Sequence, residues 1–259
     1  MHGRFMLEHL LHRDRLIVGI GTAAVAVLAW VYLASGAGMD TEMMADMPDM
    51  APMPWTPLYA ALLFVMWWVM MIAMMAPSAA PTVLLYATVK RKQETASRAA
   101  MDAWIFLAGY LVTWAGFCVV AVLVQWALER FGLLSMAMAS TSSILGGIIL
   151  LAAGLYQFTP LKRACLRYCE SPLMFLSRHW RPGTRGALRM GLRHGSYCVG
   201  CCWFLMALLF VSGVMNFVWI IAIALYVAGE KLLPFGPRLS RAAGGLLVLS
   251  GVIVLARAM

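Results

Sequence analysis

Long uninterrupted apolar runs constrain this chain more than any motif in it. Seven stretches, at about 16–35, 57–77, 103–128, 142–158, 198–214, 217–233 and 242–257, are almost free of charged residues. Runs of roughly 18 or more apolar residues read as membrane-spanning helices. Lipid offers the backbone no hydrogen-bond partner, and a helix satisfies its amides within a single segment. The chain is 63% hydrophobic and 12% charged, whereas a soluble domain carries roughly 25% charged residues. An ordinary water-soluble fold is excluded. The expectation is an all-α, polytopic transmembrane bundle of about seven helices.

One boundary needs an argument. Residues 198–233 as a single helix would be about 54 Å long, well beyond a ~30 Å hydrocarbon core. Ser212-Gly-Val-Met-Asn-Phe217 is the place to fold this stretch into a hairpin, with Asn216 satisfying the turn. Two helices there also put Lys231, Arg238 and Arg241 on the same side as the other basic segments. With the N-terminus cytoplasmic, 18 of the 20 Lys and Arg face the cytoplasm; Arg130 and Arg257 are the exceptions. That is the positive-inside pattern. The net charge of +9 is therefore a topological signal and suits an anionic lipid surface; no nucleic-acid partner is implied.

This organisation gives three parts. Residues 1–35 are a cytoplasmic N-terminus and anchor helix. The alternative, a signal peptide, fits less well, because the apolar part is long and no small-residue cleavage site closes it. Residues 36–56 are a periplasmic loop rich in Met and Asp. Residues 57–259 form a six-helix membrane domain with a basic cytoplasmic loop at 159–197. Within that loop Thr159-Pro160 reads as an N-cap followed by proline at the first helical position. The helix it starts, roughly 160–170, ends at Ser171-Pro172, and Arg181–Gly186 reads as a turn. Glycines seven apart (Gly109 and Gly116, Gly147 and Gly154, Gly244 and Gly251) mark faces on which other helices can approach closely.

The chemistry gathers at one end. His194, Cys198, Cys201 and Cys202 fall within nine residues where the basic loop meets an apolar run, and Cys165 and Cys169 lie shortly upstream. The orientation places all five cysteines on the reducing side, where stable structural disulfides are not expected. Cys198-x-x-Cys201 can chelate one ion, and Cys165 with Cys169, i and i+4 on one helix face, can complete the shell if the two elements meet. His194 and Cys202 are spares, or ligands in a different selection. Lys162, Arg163, Arg167 and Arg193 nearby favour the thiolate form. Thiolates suit Cu(I), Zn(II) or an iron–sulfur cluster. Cys118, alone in mid-helix, reads as packing.

Two methionine groups extend the pattern. Met39, Met43, Met44, Met47, Met50 and Met53 lie in the 36–56 loop among Asp40, Glu42, Asp46 and Asp49. Thioethers and carboxylates on one segment can collect copper from an oxidising compartment; a linker or surface flap is the plainer alternative. Met66, Met70 and Met74 form a stripe at i, i+4, i+8, with Met71 and Met75 beside it. Such a stripe is lipid-facing or core packing, or else the lining of a soft-metal path, and Pro77 and Pro81 kink or open that helix towards its inner end. Ionisable groups in apolar spans are functional candidates. Glu230 is one, as a ligand, a proton carrier or a partner of a loop arginine; Asp102 is another.

Four strings carry a family resemblance: Met70-Met-Ile-Ala-Met-Met-Ala-Pro-Ser-Ala-Ala-Pro81, Gly154-Leu-Tyr-Gln-Phe-Thr-Pro-Leu-Lys-Arg-Ala-Cys-Leu-Arg-Tyr-Cys169, Gly191-Leu-Arg-His-Gly-Ser-Tyr-Cys-Val-Gly-Cys-Cys-Trp203, and Val214-Met-Asn-Phe217 with Glu230-Lys-Leu-Leu-Pro234. Together they resemble an uncharacterised bacterial family of predicted metal-binding integral membrane proteins, over roughly residues 57–257. The resemblance implies a multi-pass protein of the bacterial inner membrane whose cysteines and histidine bind metal. The N-terminal helix and the Met-rich loop lie outside these strings.

The function expected is binding of a soft metal, copper foremost, with zinc or an iron–sulfur cluster as alternatives. The ion would be received, held or passed between outer Met sites and inner Cys sites. No nucleotide-binding motif is present, so movement would be passive or driven by a partner, such as a periplasmic metal carrier or a membrane metalloenzyme subunit. An assembly subunit of a metalloenzyme, and a membrane thiol–disulfide oxidoreductase, are the alternatives; a catalytic role is the less favoured reading.

Overall fold

The computed structural model describes residues 2–35, 55–135 and 138–258, with side chains from Val18 onward except that of Ala96. The described residues are helical apart from turns and one isolated bridge between Leu134 and Ser140. In chain order the helices are α1 (His2–Ala34), α2 (Pro57–Arg91), α3 (Ala96–Arg130), α4 (Ser143–Tyr156), α5 (Pro160–Glu170), α6 (Pro172–His179), α7 (Gly183–Ala207), α8 (Leu209–Ser212), α9 (Phe217–Leu232) and α10 (Gly236–Ala258). The Met- and acid-rich segment, with Met43, Met44, Met47 and Met50, lies outside the described residues.

Four helices are long and apolar enough to cross a bilayer: Pro57–Arg91, Ser97–Arg130, Gly183–Ser212 and Gly236–Ala258. Helices α4 and α5 pass the same test together, as a broken span bent by 66°. Two of the expected seven are shorter: the apolar part of α1, Val18–Ala34, and the 16 residues of α9. The long helices expose many large apolar side chains, as with Val112, Val119 and Leu123 on α3 or Leu246, Leu249 and Val252 on α10, which suits a lipid-facing surface.

Local chemistry sets the helix ends. Proline opens α2, α5 and α6 behind Thr56, Thr159 and Ser171, whose hydroxyls accept the amides of Tyr59, Lys162 and Met174. The reversal at 212–217 is a turn in which Gly213 takes φ +96° and Asn216 caps α9 through the Trp219 amide. Apolarity marks the ends less well. The runs at 57–77 and 103–128 continue as 35-residue helices joined by a short turn. Polar groups in these extensions neutralise one another: Lys90 Nζ lies 2.9 Å from Glu94 Oε1 and 2.9 Å from Asp102 Oδ2. Asp102 is thus bound in a structural cluster. Helix α2 runs through Pro77 and Pro81 without ending.

The basic 159–197 segment is largely helical, and α7 begins at Gly183, well before the apolar run at 198. The turn expected over 181–186 shrinks to the residues before Gly183, which takes φ +73°. Close helix packing explains the polar start of α7: a Cβ on Gly109 would lie 2.6 Å from the Leu188 carbonyl oxygen, and one on Gly195 would lie 3.0 Å from that of Tyr110. A Cβ on Gly191 would overlap the Phe106 carbonyl. Helices α4 and α10 meet in the same way through Gly147, Gly154, Gly244 and Gly251. Gly116 differs from the expectation, since nothing lies within 4 Å of its added Cβ. Gly191→Ala should therefore force α3 and α7 apart and lower stability by about 1–3 kcal/mol, the usual cost of overpacking, while Gly116→Ala should be neutral. Thermal midpoints in detergent distinguish the two.

Candidate functional site

Helices α2, α3, α4, α5, α7 and α9 bring the chemistry-bearing residues to one end of the bundle. Helix α7 supplies His194, Cys198, Cys201 and Cys202, three successive turns of one buried face. Helix α5 lies against it, with Cys169 buried and Cys165 half-buried. The two cysteine elements meet: Cys201 Sγ is 3.9 Å from Cys169 Sγ. Cys165 closes the same edge, its Sγ 2.8 Å from where a Cβ on Gly200 would stand. Tyr156 donates its hydroxyl to the Gly200 carbonyl and ties α4 to this corner.

The thiols are engaged locally. Cys201 and Cys202 donate to the Cys198 carbonyl at 3.1 and 2.8 Å. Among the described residues no three His, Cys, Asp or Glu side chains are arranged to hold an ion as they stand. The sulfurs of Cys169 and Cys201 are adjacent, and rotation about χ1 would free the Cys201 and Cys202 thiols from the carbonyl. His194 is buried one turn before Cys198, packed against the rings of Phe106, Tyr110 and Phe175 at 6.0, 5.7 and 4.8 Å, and its Nδ1 has no hydrogen-bond partner. A buried nitrogen in that condition costs about 1–3 kcal/mol, and metal ligation would satisfy it.

Cys198 has partners that sequence reasoning did not identify. Lys231 Nζ of α9 lies 2.9 Å from its sulfur, and the Tyr110 hydroxyl of α3 lies 3.0 Å from it. The same hydroxyl lies 3.2 Å from the Met75 carbonyl, and its single proton serves one of the two at a time. Lys231 was legible only as an intramembrane charge next to Glu230, and was read as a marker of sidedness. Tyr110 carried no signal, being one aromatic among many in apolar helices.

Two expected charge roles differ in the structure. Lys162 does not face the thiols. Its Nζ is 2.7 Å from Glu230 Oε1, both side chains fully buried, and Tyr226 donates to the same oxygen at 3.1 Å. Glu230 thus pairs with a lysine at the start of α5 in place of a loop arginine. Arg163 and Arg167 turn to a cavity of about 220 Å³ shared with Glu170, Ser240 and Arg241.

His179, at the end of α6, lies beside this corner, with Nε2 3.5 Å from the Tyr197 hydroxyl. Partial burial holds its imidazole below the ordinary value. The hydrogen bond to the Phe175 carbonyl partly opposes this, and the charges of Arg193, Arg178 and Arg181 lower it further.

The methionine stripe is interior. Met66, Met70, Met71, Met74 and Met75 are all at most 2% exposed, which removes the lipid-facing alternative and leaves core packing or a path lining. Its C-terminal end reaches the site, with Met75 Sδ 3.8 Å from Lys231 Nζ. Beside its N-terminal end Trp67 donates to Gln125, Gln125 to Glu129 and Trp55 to Glu129, each at 2.8 Å. Cys118 is fully buried on α3 and takes no part in the cysteine group.

Residues 64–254 match the sequence profile of a family described as PpoB2, copper chaperone. No curated protein and no solved structure matches the chain.

Proposed function

Because the chain belongs to the PpoB2 copper chaperone family, we propose that it is a multi-pass protein of the bacterial inner membrane that receives, holds or passes copper as Cu(I). Its ligand pool is Cys165, Cys169, Cys198, Cys201, Cys202 and His194, at the cytoplasmic end of the bundle. The observation that carries this is the juncture of two separate helices at Cys169 and Cys201, 3.9 Å apart, with Cys198 and His194 on the adjoining turns. Thiolate sulfur prefers Cu(I) to hard ions; zinc and an iron–sulfur cluster are the lesser alternatives.

In this reading copper is cargo. Met43, Met44, Met47 and Met50 collect it outside, and the buried stripe with Met70 and Met74 leads it inward. Glu230, held by Lys162, anchors α5 to α9 and does not ligate. The topology has seven crossings and a cytoplasmic N-terminus, which puts 18 of the 20 basic residues inside. The donor or acceptor is a periplasmic metal carrier or a subunit of a membrane metalloenzyme, since no nucleotide motif supplies a drive of its own.

Elemental analysis of protein purified in detergent under reducing conditions tests the reading. Near-stoichiometric copper is expected, lost when Cys198 and Cys201 are both changed to serine. One observation favours a second reading: sulfurs as close as those of Cys169 and Cys201 are poised for oxidation, as in a thiol–disulfide oxidoreductase. Protein that takes up no Cu(I), yet cycles that pair between thiol and disulfide with an external oxidant, would replace the first reading with the second.

A further inference from the structure

Lys231 is 4% exposed, and its ammonium touches Cys198 Sγ at 2.9 Å, Ser78 Oγ at 3.4 Å and Met75 Sδ at 3.8 Å. An ammonium withdrawn from water needs a partner of opposite charge. Of these three groups only the Cys198 sulfur can supply one. Amine and sulfur thus form an internal ion pair, closed on the far side by the Tyr110 hydroxyl.

The surroundings of this amine are unusual for a lysine. A buried ammonium is best served by three oxygen acceptors, because it is a compact, strongly hydrated charge. Here two of the three groups are sulfur, one thiolate and one thioether, which is the donor set of a Cu(I) site. Met75 is also the inner end of the buried methionine stripe, so the amine sits where that stripe delivers.

Charge completes the argument. Ammonium and Cu(I) both carry a single positive charge. Exchanging one for the other leaves the desolvated pocket neutral, whereas adding an uncompensated charge to a low-dielectric interior is strongly unfavourable. We infer that the Lys231 ammonium is a tethered stand-in for the cargo, occupying the Cys198–Met75 site of the empty protein until a soft monovalent cation displaces it. The side chain then swings to the end of α9, where Leu232 and Leu233 are already exposed, and its return helps to expel the ion. The exchange involves no redox step. This inference rests on the copper reading and adds to it a release device and a preference for single charge.

The test uses the full chain in detergent, empty or loaded with Ag(I), a redox-inert soft monovalent ion, followed by an amine-acylating reagent and mass spectrometry of the Lys231 peptide. Acylation of Lys231 should rise by about tenfold or more on loading, because the amine loses its buried partner, and should not respond to Ag(I) in Cys198→Ser protein. Stoichiometric Ag(I) with unchanged acylation would overturn the displacement and leave the copper reading standing. No uptake of Ag(I) or Cu(I) would remove both. In Lys231→Met protein, transfer of the bound ion to a thiol chelator should slow by about tenfold, since no cation returns to the site; an unchanged rate overturns the release device.

Discussion

Cys198→Ser is expected to lower Cu(I) affinity by at least about 100-fold, the upper end of what is lost even when a group that only supports a metal ligand is removed. Cys198 is central to the group. Its carbonyl receives the thiols of Cys201 and Cys202, its sulfur faces Lys231 and Tyr110, and it lies one turn from His194. Serine keeps the size and loses the soft donor, and it also leaves the buried Lys231 ammonium without an anionic partner. The effect should be graded across the cysteines. Cys165→Ser, at the half-buried edge, should cost no more than about tenfold, the lower end of the same range. Competition with a chromophoric Cu(I) chelator measures both. Equal losses at Cys165 and Cys198 would show that the site lies elsewhere in the cluster.

Lys162→Ala should destabilise the protein by about 3–5 kcal/mol, because it leaves the Glu230 carboxylate buried and uncompensated. The pair is fully enclosed at 2.7 Å, so solvent screening does little to soften the loss. Glu230→Ala should cost a similar amount by stranding the lysine. The double variant Lys162→Leu, Glu230→Leu should recover most of the stability, since two apolar side chains of suitable volume replace a buried ion pair at little cost. Unfolding midpoints in detergent, read by loss of the monodisperse chromatographic peak, check this. If the double variant is as unstable as either single one, Glu230 has a role beyond the pair, and its part in ligation returns to consideration.

How much could be read beforehand depended on whether the signal was local. The N-cap at Thr159, the end of α5 at Glu170 and the reversal at Gly213–Asn216 all followed from residues a few positions apart. The start of α7 did not. Its first turns carry Arg185, Arg189 and Arg193, and a polar helix enclosed through Gly109, Gly191 and Gly195 looks like a loop until its neighbour is known. For the same reason His194 was expected at the mouth of a loop and is found inside a helix, its ring covered by α3 and α6. The Lys90, Glu94 and Asp102 cluster was hidden in another way. Asp102 read only as an ionisable group in an apolar span, and the packing of α2 on α3 is what brings it to Lys90 and Glu94, themselves four residues apart.

What the sequence determined by itself was the material of the fold and the kind of chemistry: helices, because apolar runs of this length have no other way to satisfy their amides in lipid, and soft donors, because five cysteines and a stripe of methionines are soft wherever they lie. Tertiary structure alone decided the pairings. Lys162 and Lys231 are each beside a plausible partner in sequence, yet Lys162 reaches Glu230 and Lys231 reaches Cys198. The strength of a charge contact depends on distance and on the removal of water. Both are set by which helices close on one another, and residues 33 or 68 positions apart carry no trace of that in their order.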